Sequence, residues 1–537
     1  MVPEAPIDGT MPSVFPEDRS GDFTFTRGSN LAATRVASNG LIEKGRENLI
    51  LQSNQFDTTW QPIRAVLNGG QSGYDGNSAW SLTSNSTLGS HYVRQFGFSY
   101  SGVQTISVYA KANGADFLLI GTESGDAAGY FDLSNGSVGS FGSLTIDANI
   151  TNVGNGWYRC QYTFVRTISY IYLYAALENG NNVWQGDGTS GIYIQDAQLE
   201  SSMVATSYIE SGATTGKAGL LENEPRIDFT GGGCGSLLLE PQRSNLIGYS
   251  EYFEGWSNIT NITPTSNYTD SPEGVDNATR LQFTANGFTY YASAQVTGVQ
   301  YTLSCYAKRN DSGTQNVGFF INGSGTVDSA WSLTNDWQRF TYTYTASNTS
   351  QRGIAGLSGT DVSVYGFQVE AGSYPTSYIP THGNIVTRSD DEGNLNLLVS
   401  KNIIQSDTLT YFIELNTESL VRDSSLRIIN LGSANNEFFI YNNSLSESRP
   451  ILYISSSTGQ STYLLPQDNL KLCIRIQPSG TQVFVNGSQV LNTTNAPEFS
   501  ANSYYSFRGT NRKALFKQKA FFPTALTDEE CSALTQP

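Results

Sequence analysis

Charge is what this chain has least of. Only 14% of its 537 residues are Asp, Glu, Lys or Arg, against roughly 25% in an ordinary globular protein. What charge there is runs acidic, with 47 Asp and Glu against 30 Lys and Arg and a net charge of −17. Such a surface repels phosphate backbones and anionic membranes, which argues against nucleic-acid binding. Histidine is scarce too. His91 and His382 are the only two, so no His-Glu-x-x-His zinc motif can form. Neither a P-loop nor a Gly-x-Ser-x-Gly elbow occurs. The five cysteines, Cys160, Cys234, Cys305, Cys473 and Cys531, are odd in number and scattered, against a disulfide framework or a zinc cluster. No apolar run approaches the ~18 residues of a membrane span, so no membrane insertion is expected. Met1-Val2-Pro3-Glu4-Ala5-Pro6 lacks the basic and apolar regions of a secretory signal. No spaced Asp-x-Asp-x-Asp loop is present, so neither a metal nor a cofactor is expected.

In place of charge the chain carries 53 Gly, 30 Tyr and 27 Phe, with abundant Ser, Thr and Asn. That mixture suits short strands joined by polar turns and disfavours helices. Its chief feature is an internal duplication. Arg46-Glu47-Asn48-Leu49-Ile50, with Phe56 and Trp60, answers to Arg243-Ser244-Asn245-Leu246-Ile247, with Phe253 and Trp256. Ser107-Val108-Tyr109-Ala110-Lys111 answers to Ser304-Cys305-Tyr306-Ala307-Lys308, and Trp157-Tyr158-Arg159 to Trp337-Gln338-Arg339. Both copies close alike, through Gln198-Leu199-Glu200 and Thr206-Ser207-Tyr208-Ile209 or Gln368-Val369-Glu370 and Thr376-Ser377-Tyr378-Ile379. The offset falls from 197 at the opening to 180 at the tryptophan and 170 at the close, so copy two is 27 residues shorter. Such losses fall in loops.

The expected fold class is all-β: two tandem jelly-roll β-sandwiches, then a concanavalin A-like β-sandwich, with an extended N-terminal arm. Residues 1–22, with Pro3, Pro6, Pro12 and Pro16, form the arm, ordered only against a partner. Residues 23–45 read as a β-hairpin and 46–210 as the first module. Residues 211–242 read as a connector hairpin and 243–383 as the second module. Within both modules period-two strands alternate with turn clusters every 8–12 residues, as in a sandwich. Residues 384–537 read as a third sandwich, in which Asn486-Gly487 predicts a type I′ hairpin. Thr527 and Glu530 predict a capping box on one short helix.

Leu237-Leu238-Leu239-Glu240-Pro241-Gln242-Arg243-Ser244-Asn245-Leu246, with the Tyr-Ala-Lys and Trp-x-Arg strands and the closing Thr376-Ser377-Tyr378-Ile379-Pro380, resembles a module of bacteriophage virion proteins. Those proteins are tail fibres, head fibres and capsid-decorating proteins. Phe484-Val485-Asn486-Gly487 and Phe522-Pro523-Thr524-Ala525-Leu526 resemble a concanavalin A-like or laminin G-like domain. Copy one departs from the pattern with Glu43-Lys44-Gly45 where Glu-Pro-Gln is usual. The resemblance implies carbohydrate-binding-like jelly rolls in a protein exposed on the virion after assembly in the host cytoplasm. It also implies a homotrimer, with other virion proteins (capsid or tail) held through the N-terminal arm and host-surface polysaccharide as a further partner.

Sugar recognition needs aromatic faces beside Asn, Asp or Gln. Trp60/Trp256 and Trp157/Trp337 recur at matched positions and read as core. Trp184, in the polar loop with Asn182, Gln185 and Asp187, is the best sugar-site candidate, and Trp80 also lacks a counterpart. Trp331 repeats the hexapeptide around Trp80 at an unrelated place. A glycosidase needs only two carboxylates. Asp196 with Glu200 or Asp361 with Glu370 are the available pairs, but their shared strand context reads as structural, as do Arg159 and Arg339. The expectation is a non-enzymatic, multivalent binder of glycans. The alternatives are a decoration protein that binds none and a polysaccharide depolymerase.

Overall fold

The computed structural model describes residues 24–28, 31–230, 232–233, 235–313, 316–321, 325–347, 351–395, 399, 404–416, 430–432, 438–442, 450–456, 459–464, 470–499, 504–508 and 514–536. The 1–22 arm and Cys234 lie outside them. The protein is all-β, built of antiparallel sheets, and its one α-helix among the described residues is Asp528–Leu534. That helix is too short to cross a membrane. Two compact units divide the chain: Gly45–Gly219 with Ser244–Val386, and Met1–Lys44 with Leu220–Arg243 and Thr387–Pro537.

The first unit holds both copies. Copy one is a sandwich of two six-stranded sheets. One contains Val103–Asn113, Trp157–Val165 and Gly191–Glu200; the other contains His91–Tyr100, Phe117–Gly121 and Ile168–Ala176. Alternation decides what is buried, since every second residue of a strand faces the core. Ile106, Val108, Ala110, Ile192 and Ile194 of one sheet thus meet Val93, Leu118, Ile120, Ile171 and Leu173 of the other. Copy two repeats the plan with Leu303, Cys305, Ala307, Val362 and Val364 facing Val317, Phe319 and Ile354. One strand shows how the shorter copy economises. Ala278–Ala292 pairs with Asp361–Ala371 through Thr279–Gln282 and with Gln351–Gly356 through Gly287–Ala292. It does in one bent strand what copy one does with two, Ser78–Ser84 and His91–Tyr100.

The duplicated motifs form a clasp. Asn48 is buried; its Nδ2 donates to the carbonyls of Ala197 and Ile209, and its Oδ1 accepts from the N–H groups of Ile50 and Leu199. Asn245 does the same with Phe367, Ile379, Ile247 and Val369. Ser53 and Tyr208 meet at 2.6 Å, as do Ser250 and Tyr378. The opening strand is thereby sewn to the closing turn in both copies. Four buried backbone groups are satisfied by one amide side chain, which explains why Asn recurs at that position.

The second unit gathers three separated stretches. In its seven-stranded sheet Ile227–Asp228 and Ser236–Leu239 join Ala514–Phe522, Leu409–Asn416, Leu470–Gln477, Gly480–Val485 and Ser488–Thr493. The early strand Thr24–Thr26 pairs with Glu392–Leu395. Asn486 and Gly487, at φ 46° and 84°, make the two-residue turn that the dipeptide predicts, and Thr527 and Glu530 form the capping box. Cys160, Cys305, Cys473 and Cys531 are buried and free.

Candidate functional site

The residues singled out in the sequence lie as follows. Trp184 is 7% exposed; its indole N–H donates to the Ala175 carbonyl at 3.1 Å and its ring lies 4.5 Å from that of His91. It plugs the sandwich edge and offers no face to a sugar, because the short strand Trp184–Gln185 pairs with Leu88–Gly89 and turns the ring inward. Asp187 spends its oxygens on Thr189 N, Ser190 N and Ser190 Oγ, at 2.6–2.7 Å. Those bonds hold its carboxyl below the usual range, the Ser190 hydroxyl first. The Gln185 amide donates to the carbonyls of Ser86 and Gly186, and Asn182 is half-buried beside them. This loop satisfies itself. Trp80 is half-buried, with its N–H on the Asn54 carbonyl; its register position in copy two is held by Thr279. Trp337 differs from its partner Trp157. Trp157 is buried, whereas Trp337 is half-buried under the Lys308 ammonium at 5.0 Å. Neither of this pair belongs to the core cluster of its copy; of the matched tryptophans only Trp60 and Trp256 do, and Trp331 joins Trp256 there.

The carboxylates are tied down. Glu200 accepts from Gln198 Nε2, Thr206 N and Thr206 Oγ1 at 2.6–2.9 Å, and Glu370 repeats all three bonds with Gln368 and Thr376. Arg159 and Arg339 brace the same turns through the carbonyls of Thr206 and Thr376 and lie over Tyr109 and Tyr306. Asp361 pairs with Arg280. Asp196 is 5% exposed, and burial raises its carboxyl to about 6 despite a hydrogen bond from the Tyr74 hydroxyl. Among the described residues no group of three His, Cys, Asp or Glu converges as a metal site requires.

What the structure does assemble is an aromatic row on the outer face of copy one. In Ile168–Ala176 the inward residues are Ile171, Leu173 and Ala175, so Tyr170, Tyr172 and Tyr174 stand outward together. Their rings stack at 5.8 and 5.7 Å. The neighbouring strand sets Tyr92, Arg94 and Phe96 in register with Tyr174, Tyr172 and Tyr170. Tyr92 packs on Tyr174 at 4.6 Å, and Phe96 stacks on Tyr170 at 5.6 Å. The Arg94 guanidinium lies over Phe96 and Tyr170 and donates twice to Gln61 Oε1. Phe96 is 47% exposed. Rings, phenolic hydroxyls, a guanidinium and an amide thus share one open sheet face, which is the chemistry that holds a sugar chain. Copy two lacks the tyrosine row, because Gly353 and Ala355 stand where copy one has Tyr172 and Tyr174; Phe288 and Tyr290, stacked at 6.2 Å, stand there in place of Tyr92 and Arg94.

No known protein family matches the chain, and no curated protein matches it. Some solved structures show a likeness. One is domain 4 of AbnA, an extracellular GH43 arabinanase from Geobacillus stearothermophilus, in complex with arabinotriose, at 17% identity and TM-score 0.22 over 27% of this chain and 73% of that one. A second is an N-terminal tandem CBM22 domain from Paenibacillus barcinonensis, at 11% and 0.22 over 60% and 98%. A third is Trypanosoma rangeli sialidase, at 9% and 0.21 over 97% and 99%. Likenesses this slight fix no ligand for this chain.

Proposed function

We propose that the protein is a non-catalytic structural component of a bacteriophage virion, a fibre or capsid-decorating protein, that binds host-surface or environmental glycans weakly and multivalently. The observation that carries the glycan reading is the outward row of Tyr92, Phe96, Tyr170, Tyr172 and Tyr174 with Arg94. Such rings pack on the C–H faces of a sugar while neighbouring polar groups meet its hydroxyls. Weak binding at one face is raised by avidity when several copies share a particle. The virion assignment rests on the Leu237–Leu246 motif and its closing partner, and the trimer, the partners held through the arm and the location on the particle surface rest on that same resemblance. In support of the non-catalytic reading, Glu200 and Glu370, one member of each carboxylate pair weighed for a depolymerase, accept hydrogen bonds from Thr206 and Thr376 in the closing turns.

Two experiments divide the readings. Immunogold against residues 384–537 on intact particles should place gold at the tail tip or over the head, and no label on any particle would overturn the virion assignment. A polysaccharide array should show binding without release of reducing ends. A blank array with tight capsid binding would favour a decoration protein that binds no glycan, and released reducing ends would favour a depolymerase.

A further inference from the structure

Copy two carries a cleft of about 910 Å3, lined by Trp331, Val317, Leu333, Leu357, Arg309 and Asn286 among others. That volume is within the range of small-ligand sites, about 300–1,000 Å3. Trp331 is 5% exposed, its ring stacked on Phe340 and edge-on to Phe319, and its indole N–H has no acceptor among the described residues. A buried donor left unmade costs about 1–3 kcal/mol and calls for a partner.

The duplication shows why a donor is buried there without an acceptor. Phe131 in copy one pairs with Leu118, and Trp331 donates its backbone N–H to Val317, the residue matching Leu118. Phe131 is fully buried and needs no acceptor. Beyond it the strands Ser137–Phe141 and Thr145–Gly154, one at the edge of each sheet, and the link between them lay Val138, Leu144, Ala148 and Ile150 on the core. Copy two lacks both strands: 26 residues lead from Phe131 to Trp157, but six from Trp331 to Trp337. Where they are missing, an indole with a spare N–H replaces the phenyl ring.

We propose that this cleft is a second binding site, taking a neutral sugar residue whose ring or acyl oxygen accepts from Trp331 Nε1. It shares the ligand class of the reading above and none of its residues. Val317, Leu333 and Leu357 meet the C–H face, while Asn286, Asn316, Thr326 and Thr334 stand in reach of hydroxyls. Among the described residues that line the cleft Arg309 is the one charged side chain, and its Nε is already held by Asn335 Oδ1 at 2.9 Å. That balance disfavours an anion, and the polar rim disfavours a lipid.

The test uses the full chain labelled with 15N throughout, backbone amides and indoles alike, titrated with N-acetylglucosamine and with methyl β-glucopyranoside to about 50 mM, the range of weak single-site binding. The Trp331 resonance is the one missing from Trp331→Phe, a substitution that restores what copy one has at this position and should melt like the wild type. The proposal expects that resonance to shift saturably with at least one probe. It expects the remaining cleft signals to titrate at least tenfold more weakly in Trp331→Phe. It expects the same titration to persist in the Phe96→Ala/Tyr172→Ala variant. No shift at Trp331 with either probe would overturn it, and so would a titration unchanged in Trp331→Phe or one abolished by the Phe96/Tyr172 changes. The glycan reading of copy one survives any of the first two results.

Discussion

At the scale of single residues the two copies hold themselves together by a few buried polar side chains, and these make sharp predictions. Asn245→Ala strips partners from four buried backbone groups and should cost at least about 3 kcal/mol in chemical denaturation; a loss under 1 kcal/mol would contradict the clasp. Asp196 is the residue with a pH signature. Its carboxyl titrates at about 6 in the folded chain against an ordinary 3.8, so the folded state binds the proton more tightly. Stability is therefore lost as pH rises from about 4 to about 6, where the folded chain must give that proton up. Asp196→Asn removes the ionisation and keeps an acceptor for Tyr74, and Asn tolerates the backbone φ of 54°. It should match the wild type at pH 4 and exceed it by about 1–3 kcal/mol at pH 7.5. Parallel stability-against-pH curves for the two proteins would refute this.

At the scale of elements, legibility followed chemistry. The Asn48/Asn245, Gln198/Gln368 and Glu200/Glu370 positions are readable as a duplication because each side chain has specific backbone partners that no other residue type satisfies. The Asn486-Gly487 turn and the Thr527–Glu530 box are readable for the same reason. The aromatic row is not. Ser169-Tyr170-Ile171-Tyr172-Leu173-Tyr174 announces a strand, but tyrosine suits a core and a surface alike, so alternation alone does not tell which face looks outward. Trp184 reads as a surface aromatic from its polar loop, yet that loop folds back as an edge strand and buries the ring. Neither Trp157 nor Trp337 joins a core cluster; Trp157 is buried against Tyr74 and Tyr193, Trp337 is half-buried under Lys308, and the core aromatic on the shortened connection is Trp331, at the place of Phe131. A deletion of that kind changes which aromatic fills the core without touching the motifs that reveal the repeat.

At the scale of the whole molecule, chain order and folding units do not coincide. The unit that contains the C-terminal strands also takes residues from near the start and from between the copies. Its junction is a buried charge cluster: Arg226 and Arg388 both pair with Glu240, and Arg226 and Arg27 both pair with Asp391. Arg27, Arg226 with Glu240, and Arg388 with Asp391 come from three separated stretches, so the cluster closes only when all three are in place. Removing one partner of a buried ion pair costs about 3–5 kcal/mol, since the charge left behind is uncompensated. Glu240→Gln should therefore lower one of two calorimetric transitions by roughly 6–20 °C and leave the other, from the two sandwich copies, in place. Equal displacement of both transitions would count against two separable units.

The central claim is that the open aromatic face of copy one holds glycan, and affinity electrophoresis tests it most directly. Wild type, Phe96→Ala/Tyr172→Ala and Trp184→Phe would be run through gels containing a host polysaccharide that retards the wild type. Losing two stacking rings should weaken binding roughly tenfold, since about 1.4 kcal/mol is one decade. Retardation is predicted to weaken by about that factor in the double variant and to be kept in Trp184→Phe. Retardation undiminished in the double variant would contradict the account.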